Sequence, residues 1–138
     1  MRIAVDTSVW IWHLRDVRTP EVGLLRELLA TDSYDGIDGV DIVLGDLVRC
    51  EIMRGLRFAS DARRADEAFA ETTPADFGGH GTANFAARIY RELRDRGITV
   101  RSTIDTMIAA WCIQNSCALL HADRDFDHIA AHFPLRKL

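Results

Sequence analysis

Four acidic side chains stand at positions where carboxylates can do chemistry: Asp6, Glu51, Asp105 and Asp123. Asp6 ends a short apolar run that predicts a buried strand, and Asp123 directly follows another such run. Glu51 lies one turn into the helix predicted after the second strand, and Asp105 lies in the first turn of a later helix. Because ligands of open parallel sheets bind outside the carboxyl ends of the strands, we expect these four acids to converge.

Each of the four acids also has an ordinary structural explanation. Asp6 and Asp123 suit the N-cap position of a helix, and Asp105 forms a capping-box pattern with Ser102. Glu51 suits the exposed side of its helix. However, the sequence neighbours of Asp105 and Glu51 are strongly apolar, and burying an unpaired carboxylate is costly. Taken together, the acids therefore favour a shared functional site.

The charge of such a cluster indicates what it would bind. Two like charges about 4 Å apart repel by roughly 4 kcal/mol at an effective dielectric constant near 20. Carboxylates at this distance must therefore share protons or surround a cation. A ligand set of carboxylate oxygens, with no cysteine and no obligatory histidine, suits Mg²⁺ or Mn²⁺. Because such ions activate water and hold the oxygens of a phosphodiester, we predict phosphodiester hydrolysis.

The elements that must position these acids alternate between short apolar strands and longer helices. The predicted strands are 2–6, 41–44, 117–121 and an edge strand at 135–138, with an extended piece at 72–76. The predicted helices are 7–16, 20–30, 46–58, 60–71, 82–96, 103–115 and 123–131. The predicted loops are 31–39 and 78–81. This alternation is typical of an α/β protein with a mainly parallel sheet.

Length and composition limit the class of protein. The 138 residues favour a single domain spanning 1–138. The formal net charge of −4 differs from the basic balance of a protein that coats nucleic acid. Because no apolar run reaches the length of a membrane span and no signal-peptide pattern is present, we expect a cytoplasmic protein without membrane contact. Three cysteines without a CxxC pair predict buried, reduced thiols.

With these motifs in place, the chain resembles a PIN-domain ribonuclease of the VapC toxin type. The matching motifs are Val5-Asp6-Thr7-Ser8-Val9-Trp10-Ile11, Glu51 with Gly55, Asp105-Thr106-Met107-Ile108-Ala109-Ala110, Leu119-Leu120-His121-Ala122-Asp123-Arg124-Asp125-Phe126-Asp127, and the lead-in at 94–100. They occur in the family's order and cover essentially the whole chain. The resemblance implies a three-layer α/β/α fold around a mainly parallel sheet of about five strands. It also implies cleavage of RNA that depends on Mg²⁺ or Mn²⁺.

The resemblance further implies roles for the acids. Asp6 and Asp105 are expected to hold the principal metal ion, and Glu51 and Asp123 are expected to complete the site. Asp125 is an auxiliary ligand through water. We expect a water that the metal activates to attack phosphorus in line, which leaves 5′-phosphate and 3′-hydroxyl ends.

Four further residues of the motifs are candidates for contacts with water or substrate: Thr7, Ser8, His121 and Arg124. The hydroxyls of Thr7 or Ser8 are expected to orient water or substrate. His121 stands where many members of the family have threonine or serine. An imidazole there is expected to position water or an acid, or to donate a hydrogen bond to a phosphate.

Arginines and tryptophans outside the motifs offer further contacts. Arg88, Arg91 and Arg94 recur every three residues on one helix, which is typical of a solvated face or of a track for RNA phosphates. Arginines nearer to the acids in the sequence are alternatives: Arg15, Arg49, Arg54 and Arg124. The tryptophans are most simply residues of the core or of an interface: Trp10, Trp12 and Trp111.

The resemblance also predicts partners. The toxin family is held inactive by an antitoxin whose C-terminal segment lies along an apolar groove and presents arginine. We expect such an antitoxin to dock near the helices 7–16, 20–30 and 46–58, and we expect a homodimer. The RNA target expected for the family is a loop of tRNA or rRNA.

Two other functions compete with the ribonuclease hypothesis. A catalytically silent PIN-fold module would keep the fold and only bind a partner, but here all four acids are intact. A phosphate-signalling receiver domain also places aspartate at strand ends. It needs a second acid beside Asp6 and a lysine late in the sheet, whereas Thr7 follows Asp6 and the only lysine is Lys137.

Overall fold

Helices and strands alternate in the computed structural model of the chain, which describes residues 1–31 and 39–138. The strands are β1 (Arg2–Val5), β2 (Asp41–Gly45), β3 (Thr73–Ala75) and β4 (Ala118–Leu120). The helices are α1 (Thr7–Leu14), α2 (Pro20–Ala30), α3 (Asp46–Arg54), α4 (Ala59–Phe69), α5 (His80–Asp95), α6 (Thr103–Gln114) and α7 (Arg124–Ala130). Residues 32–38 of the predicted loop lie outside the described ranges. No helix within these ranges is long and apolar enough to cross a membrane.

The sheet is parallel throughout, with the strand order β3–β2–β1–β4. Ile3 of β1 lies opposite Ile42 of β2 on one side and Ala118 of β4 on the other. The prediction of a mainly parallel sheet is therefore confirmed, with four strands where about five were expected. The predicted edge strand at 135–138 is reduced to a single parallel bridge between Lys137 and Leu119.

The path of the chain reverses beside β1. It runs outward from β1 to β2 and β3, and then returns across the sheet to β4 on the other side of β1. Right-handed crossovers in opposite directions place their helices on opposite faces of the sheet. In agreement, α1 packs against α2, α3 and α4, whereas α6 packs against α5 and α7. These two groups of helices and the sheet form the three layers of an α/β/α fold.

The sheet lies in the core, and this explains the apolar sequence of its strands. Ile3, Ala4 and Val5 are almost completely buried, because helices cover both faces of β1. Gly45 ends β2 where the ring of Phe77 crosses the backbone, so that a Cβ atom there would lie 2.3 Å from the ring. The Phe77 ring is in turn stacked on Trp111 of α6, with 4.3 Å between the ring centroids. Through this close approach, both the loop after β3 and the helix α6 pack against the end of β2.

Candidate metal centre

The site lies in the crevice outside the carboxyl ends of β1 and β4. At this point the chain reverses direction, so that the loops after the two strands diverge and leave space between them. Asp6 directly follows β1, and its amide N–H donates to the carbonyl of Leu120 at the end of β4, 3.0 Å away. Asp123 follows three residues after Leu120. The fold therefore brings together two acids that are far apart in the sequence.

Asp6 is a buried carboxylate, with 4% of its surface exposed. It occupies the N-cap position of α1, but its side chain makes no capping hydrogen bond within the described part of the chain. Burial raises the pKa of Asp6 to about 6, and the charges of Asp123 and Glu51 add to the increase, which the amide of Thr7 only partly opposes. Helix capping therefore does not explain this residue.

Asp105 is held at the start of α6. Its amide N–H donates to the Ser102 hydroxyl, the N-cap of the helix, over 3.3 Å. Among the described residues, the reciprocal bond of a capping box, from the Ser102 amide to the Asp105 carboxylate, is absent. Burial raises the pKa of Asp105 to about 7, and the charges of other acids raise it further, foremost those of Asp6 and Asp123. The side chain therefore faces the acid cluster.

Glu51 reaches the cluster from α3. Its Oε1 atom accepts a hydrogen bond of 2.7 Å from the hydroxyl of Thr7, which is itself buried at the start of α1. This hydrogen bond joins two residues that are 44 positions apart. Thr7, a predicted contact for water or substrate, thus holds Glu51 in place.

Asp123 and Asp125 lie on the opposite side of the crevice. The Asp123 carboxylate caps α7 by accepting from the amide of Asp125 over 2.9 Å, so the predicted N-cap role is real. Asp105, Asp123 and Asp125 each offer one oxygen atom, and these three atoms all lie within 4.8 Å of one another. This spacing allows all three carboxylates to bind one cation.

His121 is completely buried below the loop that carries Asp123. Its Nδ1 atom accepts a hydrogen bond of 3.2 Å from the Asp123 amide. Burial and the charge of Lys137 lower the pKa of His121, which favours the neutral ring. Its Nε2 atom lies 3.9 Å from a carboxylate oxygen of Asp127. This placement does not support the predicted contact with a phosphate, because the imidazole has no exposed surface.

Within the described part of the chain, two cavities open from the crevice to solvent. The first, the Trp12 opening, is lined by Asp6, Ser8, Trp12, Ala122, Asp123 and Arg124. The second, the Arg101 opening, is lined among others by Thr99, Arg101, Asp105, Asp123, Asp125 and His128, and also by Arg124. Asp123 and Arg124 therefore lie between the two openings. Ser8 and Arg124 were predicted to lie at the site, whereas Trp12 was predicted to be a residue of the core or of an interface, and Arg101 was not predicted to be a contact. The four-residue spacing of Ser8 and Trp12 on one helix was the available signal.

The three arginines on α5, which were predicted to form a solvated face or a track for RNA phosphates, have different surroundings. Arg88 pairs with Glu92 over 2.8 Å, and Arg94 lies over the ring of Tyr90, 5.8 Å from its centroid. Arg91 lines a groove between α5 and α6 that also includes Thr99 and Arg101. Thr99 and Arg101 also line the Arg101 opening, so this groove adjoins the acid cluster. Of the three arginines, Arg91 is therefore the one that lies in a groove connected to the acids.

The residues of the crevice fit a hard divalent cation. The donor atoms are carboxylate oxygens, which Mg²⁺ and Mn²⁺ prefer. The raised pKa values of Asp6 and Asp105 result partly from the negative charges around them. A cation among these oxygens removes that repulsion and favours the ionised forms.

Comparisons with known proteins agree with this geometry. The PIN domain family matches residues 3–132 of the chain. The chain is 30% identical, over 135 residues, to ribonuclease VapC11 of Mycobacterium tuberculosis and to a VapC ribonuclease of Mycobacterium bovis. Each alignment covers 93% of this chain and 91% of the relative.

Solved structures share the fold at lower sequence identity. A chain of Rickettsia felis VapBC2, solved with a DNA fragment from its promoter, superposes with a TM-score of 0.76 at 15% identity. A chain of DNA-bound VapBC from Salmonella typhimurium superposes with a TM-score of 0.73 at 17% identity. The two superpositions cover 100% of this chain and 98% and 97% of the matched chains. The predicted three-layer fold is therefore confirmed.

Proposed function

This chain belongs to the PIN-domain family, and from that premise we propose that it is a metal-dependent endoribonuclease toxin of the VapC type. The observation that carries the proposal is that Asp6, Glu51 and Asp123 lie close enough to Asp105 for their charges to raise its pKa beyond the effect of its burial, at the point where the chain reverses direction across the sheet. The names of the mycobacterial relatives support RNA as the substrate.

In the proposed site, Asp6 and Asp105 hold the principal ion, and Glu51 and Asp123 complete the ligand set. Asp125 is the auxiliary ligand, because its oxygen lies close to those of Asp105 and Asp123. When bound, Mg²⁺ or Mn²⁺ neutralises these charges, activates a water for attack on phosphorus, and stabilises the leaving oxygen. The products are expected to carry 5′-phosphate and 3′-hydroxyl ends.

The residues around the acids orient the ligands and the substrate. Thr7 fixes one carboxylate oxygen of Glu51 through its 2.7 Å hydrogen bond. Ser8 is exposed in the Trp12 opening, where its hydroxyl is free to orient water or substrate. Arg124 lines both openings, and its guanidinium suits an RNA phosphate held next to the acids. His121 positions the loop that carries Asp123.

The proposed toxin requires an inhibitor, and the surface offers a groove for it. A cavity of about 290 Å³ is lined by apolar side chains of α1 and α3 and of the segment between α3 and α4, together with four charged residues: Arg15, Arg57, Asp61 and Arg64. The apolar side chains include Ile11, Leu14, Ile52, Leu56 and Phe58. An apolar antitoxin segment fits this groove, and an arginine from it is expected to neutralise the acids. The matched structures, which are VapBC assemblies by name, support such a partner.

Two further features of the proposal follow from the family. We propose that the protein forms a homodimer and that its substrate is a loop of tRNA or rRNA.

The proposal is tested by replacing single carboxylates with amides of the same shape. Asp6→Asn and Asp105→Asn each remove a charge from the proposed metal site, so RNA cleavage in Mg²⁺ should fall by roughly 100-fold or more. Asp66→Asn is the matched control, because Asp66 is an exposed acid on α4. The measurement is the rate of cleavage of total cellular RNA by purified protein, with and without EDTA, followed by mapping of the new ends.

Equal cleavage by the wild type and by Asp6→Asn would contradict the proposal. Cleavage that persists in EDTA would also contradict it, as would products with 2′,3′-cyclic phosphate ends.

A further inference from the structure

We propose that Trp12 stacks against a nucleobase of the RNA next to the scissile phosphate. The proposal rests on the proposed ribonuclease function and names a specificity-determining residue for it. Three features support the proposal: the position of Trp12 beside the acids, the exposed part of its side chain, and the basic residues beyond the acid cluster.

Trp12 lies on the face of α1 that points to the crevice. It follows Ser8 by four residues, which places the two side chains next to each other along the helix. Together with Asp6 and Asp123, they line a cavity of about 310 Å³, which is at the lower end of the range for small-ligand sites. A group seated on the Trp12 ring is therefore a neighbour of any phosphate bound at the acids.

The surroundings of Trp12 differ from those of the other two tryptophans. Trp10 is fully buried and packs edge-on against Phe69, with 5.7 Å between the ring centroids. Trp111 is 7% exposed and stacks on Phe77. Trp12 is only partly buried, and within residues 1–31 and 39–138 no aromatic ring or arginine packs on it. Trp12 packs against the edge of the core, but part of its side chain remains exposed and available to a ligand, whereas the other two tryptophans are buried in the core.

On the side of the acid cluster away from Trp12, basic side chains are placed where they could bind RNA phosphates. Arg101, Arg124 and His128 line the Arg101 opening, and Arg91 continues along the groove between α5 and α6. Proteins that bind single-stranded RNA combine aromatic stacking platforms with such basic grooves. A single strand that crosses the acids thus has a base on Trp12 at one end and phosphates on the arginines at the other.

The test combines a change in the protein with a change in the RNA. RNA oligonucleotides that contain the mapped cleavage site receive one abasic nucleotide at each position in turn, and cleavage is measured under single-turnover conditions. With the wild type, loss of the stacked base should lower the rate at subsaturating enzyme by roughly 5- to 100-fold at one position beside the cleaved bond. Trp12→Leu should show a similar loss on intact RNA and no further loss at that position.

Two other variants complete the comparison. Trp12→Phe keeps an aromatic face and should retain part of the response to the abasic nucleotide. Phe85→Leu removes a half-buried aromatic side chain on α5 that is not among the residues lining either opening, so its abasic profile should match that of the wild type. The melting temperature of each variant shows that it is folded.

Tryptophan fluorescence gives a readout that does not depend on turnover. With Ca²⁺ in place of Mg²⁺ to slow cleavage, intact RNA should quench the emission of the wild type, and the quenching should be lost in Trp12→Leu. The buried Trp10 and Trp111 provide the constant background.

The two proposals fail in different ways. If the wild type cleaves RNA in a metal-dependent manner but Trp12→Leu keeps the wild-type abasic profile and quenching, the stacking inference is overturned and the proposed function stands. In that case the ring serves packing or a protein contact. If the wild type cleaves no RNA, the proposed function fails, and the stacking inference fails with it.

Discussion

The hydroxyl of Thr7 connects the start of α1 to Glu51 of α3 through a hydrogen bond of 2.7 Å. A glutamate side chain loses considerable rotamer freedom when it is fixed in one orientation. The hydrogen bond from Thr7 restricts the orientation of the Glu51 side chain before any cation binds. Groups that orient metal ligands in this way usually matter for affinity almost as much as the ligands.

Replacement of Thr7 by valine should therefore weaken metal binding while the fold is kept. Valine has the shape of threonine but cannot donate to Glu51, so the affinity for Mn²⁺ should fall by roughly 10- to 100-fold. The affinity is measured by calorimetric titration of the metal-free protein. Thr7→Ser keeps the hydroxyl and should restore most of the affinity. Thr82→Val is the matched control, since Thr82 donates to Gln114 over 3.1 Å on the surface. A Thr7→Val variant with the Mn²⁺ affinity of the wild type would show that metal binding does not depend on the hydrogen bond from Thr7 to Glu51.

The placement of the acids at one edge of a parallel sheet could be predicted from the sequence, because Asp6 and Asp123 follow strands and Asp105 opens a helix. Glu51 lies farther along its helix, α3. The surroundings of His121 and Trp12 could not be predicted in the same way. The burial of His121 depends on Phe126 of α7 and on the C-terminal segment, which are placed only when the whole fold is formed. Trp12 shares its opening with Ala122, Asp123 and Arg124, which follow β4 and are far from Trp12 in the sequence.

At the scale of elements, the contact between Gly45 and Phe77 determines how the end of β2 packs. Asp46, the first residue of α3, strengthens the contact by accepting from the amide of Phe77 over 2.7 Å. The short segment after β3 is thereby held against the start of α3, the helix that carries Glu51. The packing of the Phe77 loop thus helps to fix the position of α3, and with it the position of Glu51.

A pair of glycine substitutions should shift stability in opposite directions. Gly45→Ala places a methyl group 2.3 Å from the Phe77 ring, which is stacked on Trp111, so unfolding should become easier by about 1–3 kcal/mol. Gly23→Ala, inside α2, meets no atom within 4 Å and should stabilise the protein by up to about 1 kcal/mol. Denaturant unfolding at equilibrium measures both. A neutral Gly45→Ala would mean that the Phe77 ring moves aside at little cost.

Most elements could be predicted because their apolar periodicity is strong, and the differences lie at their ends. The predicted helix 46–58 ends at Arg54, where Gly55 provides the C-cap. The predicted helix 82–96 begins earlier, at His80, and ends before Gly97, whose φ of +80° suits glycine. The predicted strand at 135–138 is reduced to a single bridge between Lys137 and Leu119 of β4. Local composition does not reveal how many residues of an edge segment pair with their neighbour.

For the molecule as a whole, the acid cluster destabilises the metal-free fold. A carboxyl group with a higher pKa in the folded protein than in the unfolded chain binds its proton more tightly when folded. The free energy of unfolding therefore decreases as the pH rises through the interval between the two pKa values. For Asp6 this interval extends from 3.8 to about 6, and for Asp105 from 3.8 to about 7.

The melting temperature of the metal-free protein should show this effect. At pH 8 without metal, Asp105→Asn should melt several degrees above the wild type, and the difference should shrink below pH 4, where the wild-type carboxyl is protonated. Asp66→Asn should follow the wild type at both pH values. His121 has a lowered pKa and contributes a slope of opposite sign, so each variant is compared with the wild type at the same pH.

Mg²⁺ should raise the melting temperature of the wild type at pH 8 and have much less effect on Asp105→Asn. Identical melting curves of the wild type and the variant across the pH range would show that Asp105 is not destabilised by its neighbours.

The bridge between Lys137 and Leu119 has a consequence for solubility. The amide of Leu138 donates to the carbonyl of Leu119 over 3.0 Å, and the amide of Leu119 donates to the carbonyl of Arg136 over 2.8 Å. Residues 136–138 therefore occupy backbone groups on the outer edge of β4, which otherwise invite pairing with a strand of another molecule. We therefore expect these three residues to reduce intermolecular strand pairing and aggregation. An affinity tag that disturbs them risks producing precipitate, even though the acid cluster would be intact.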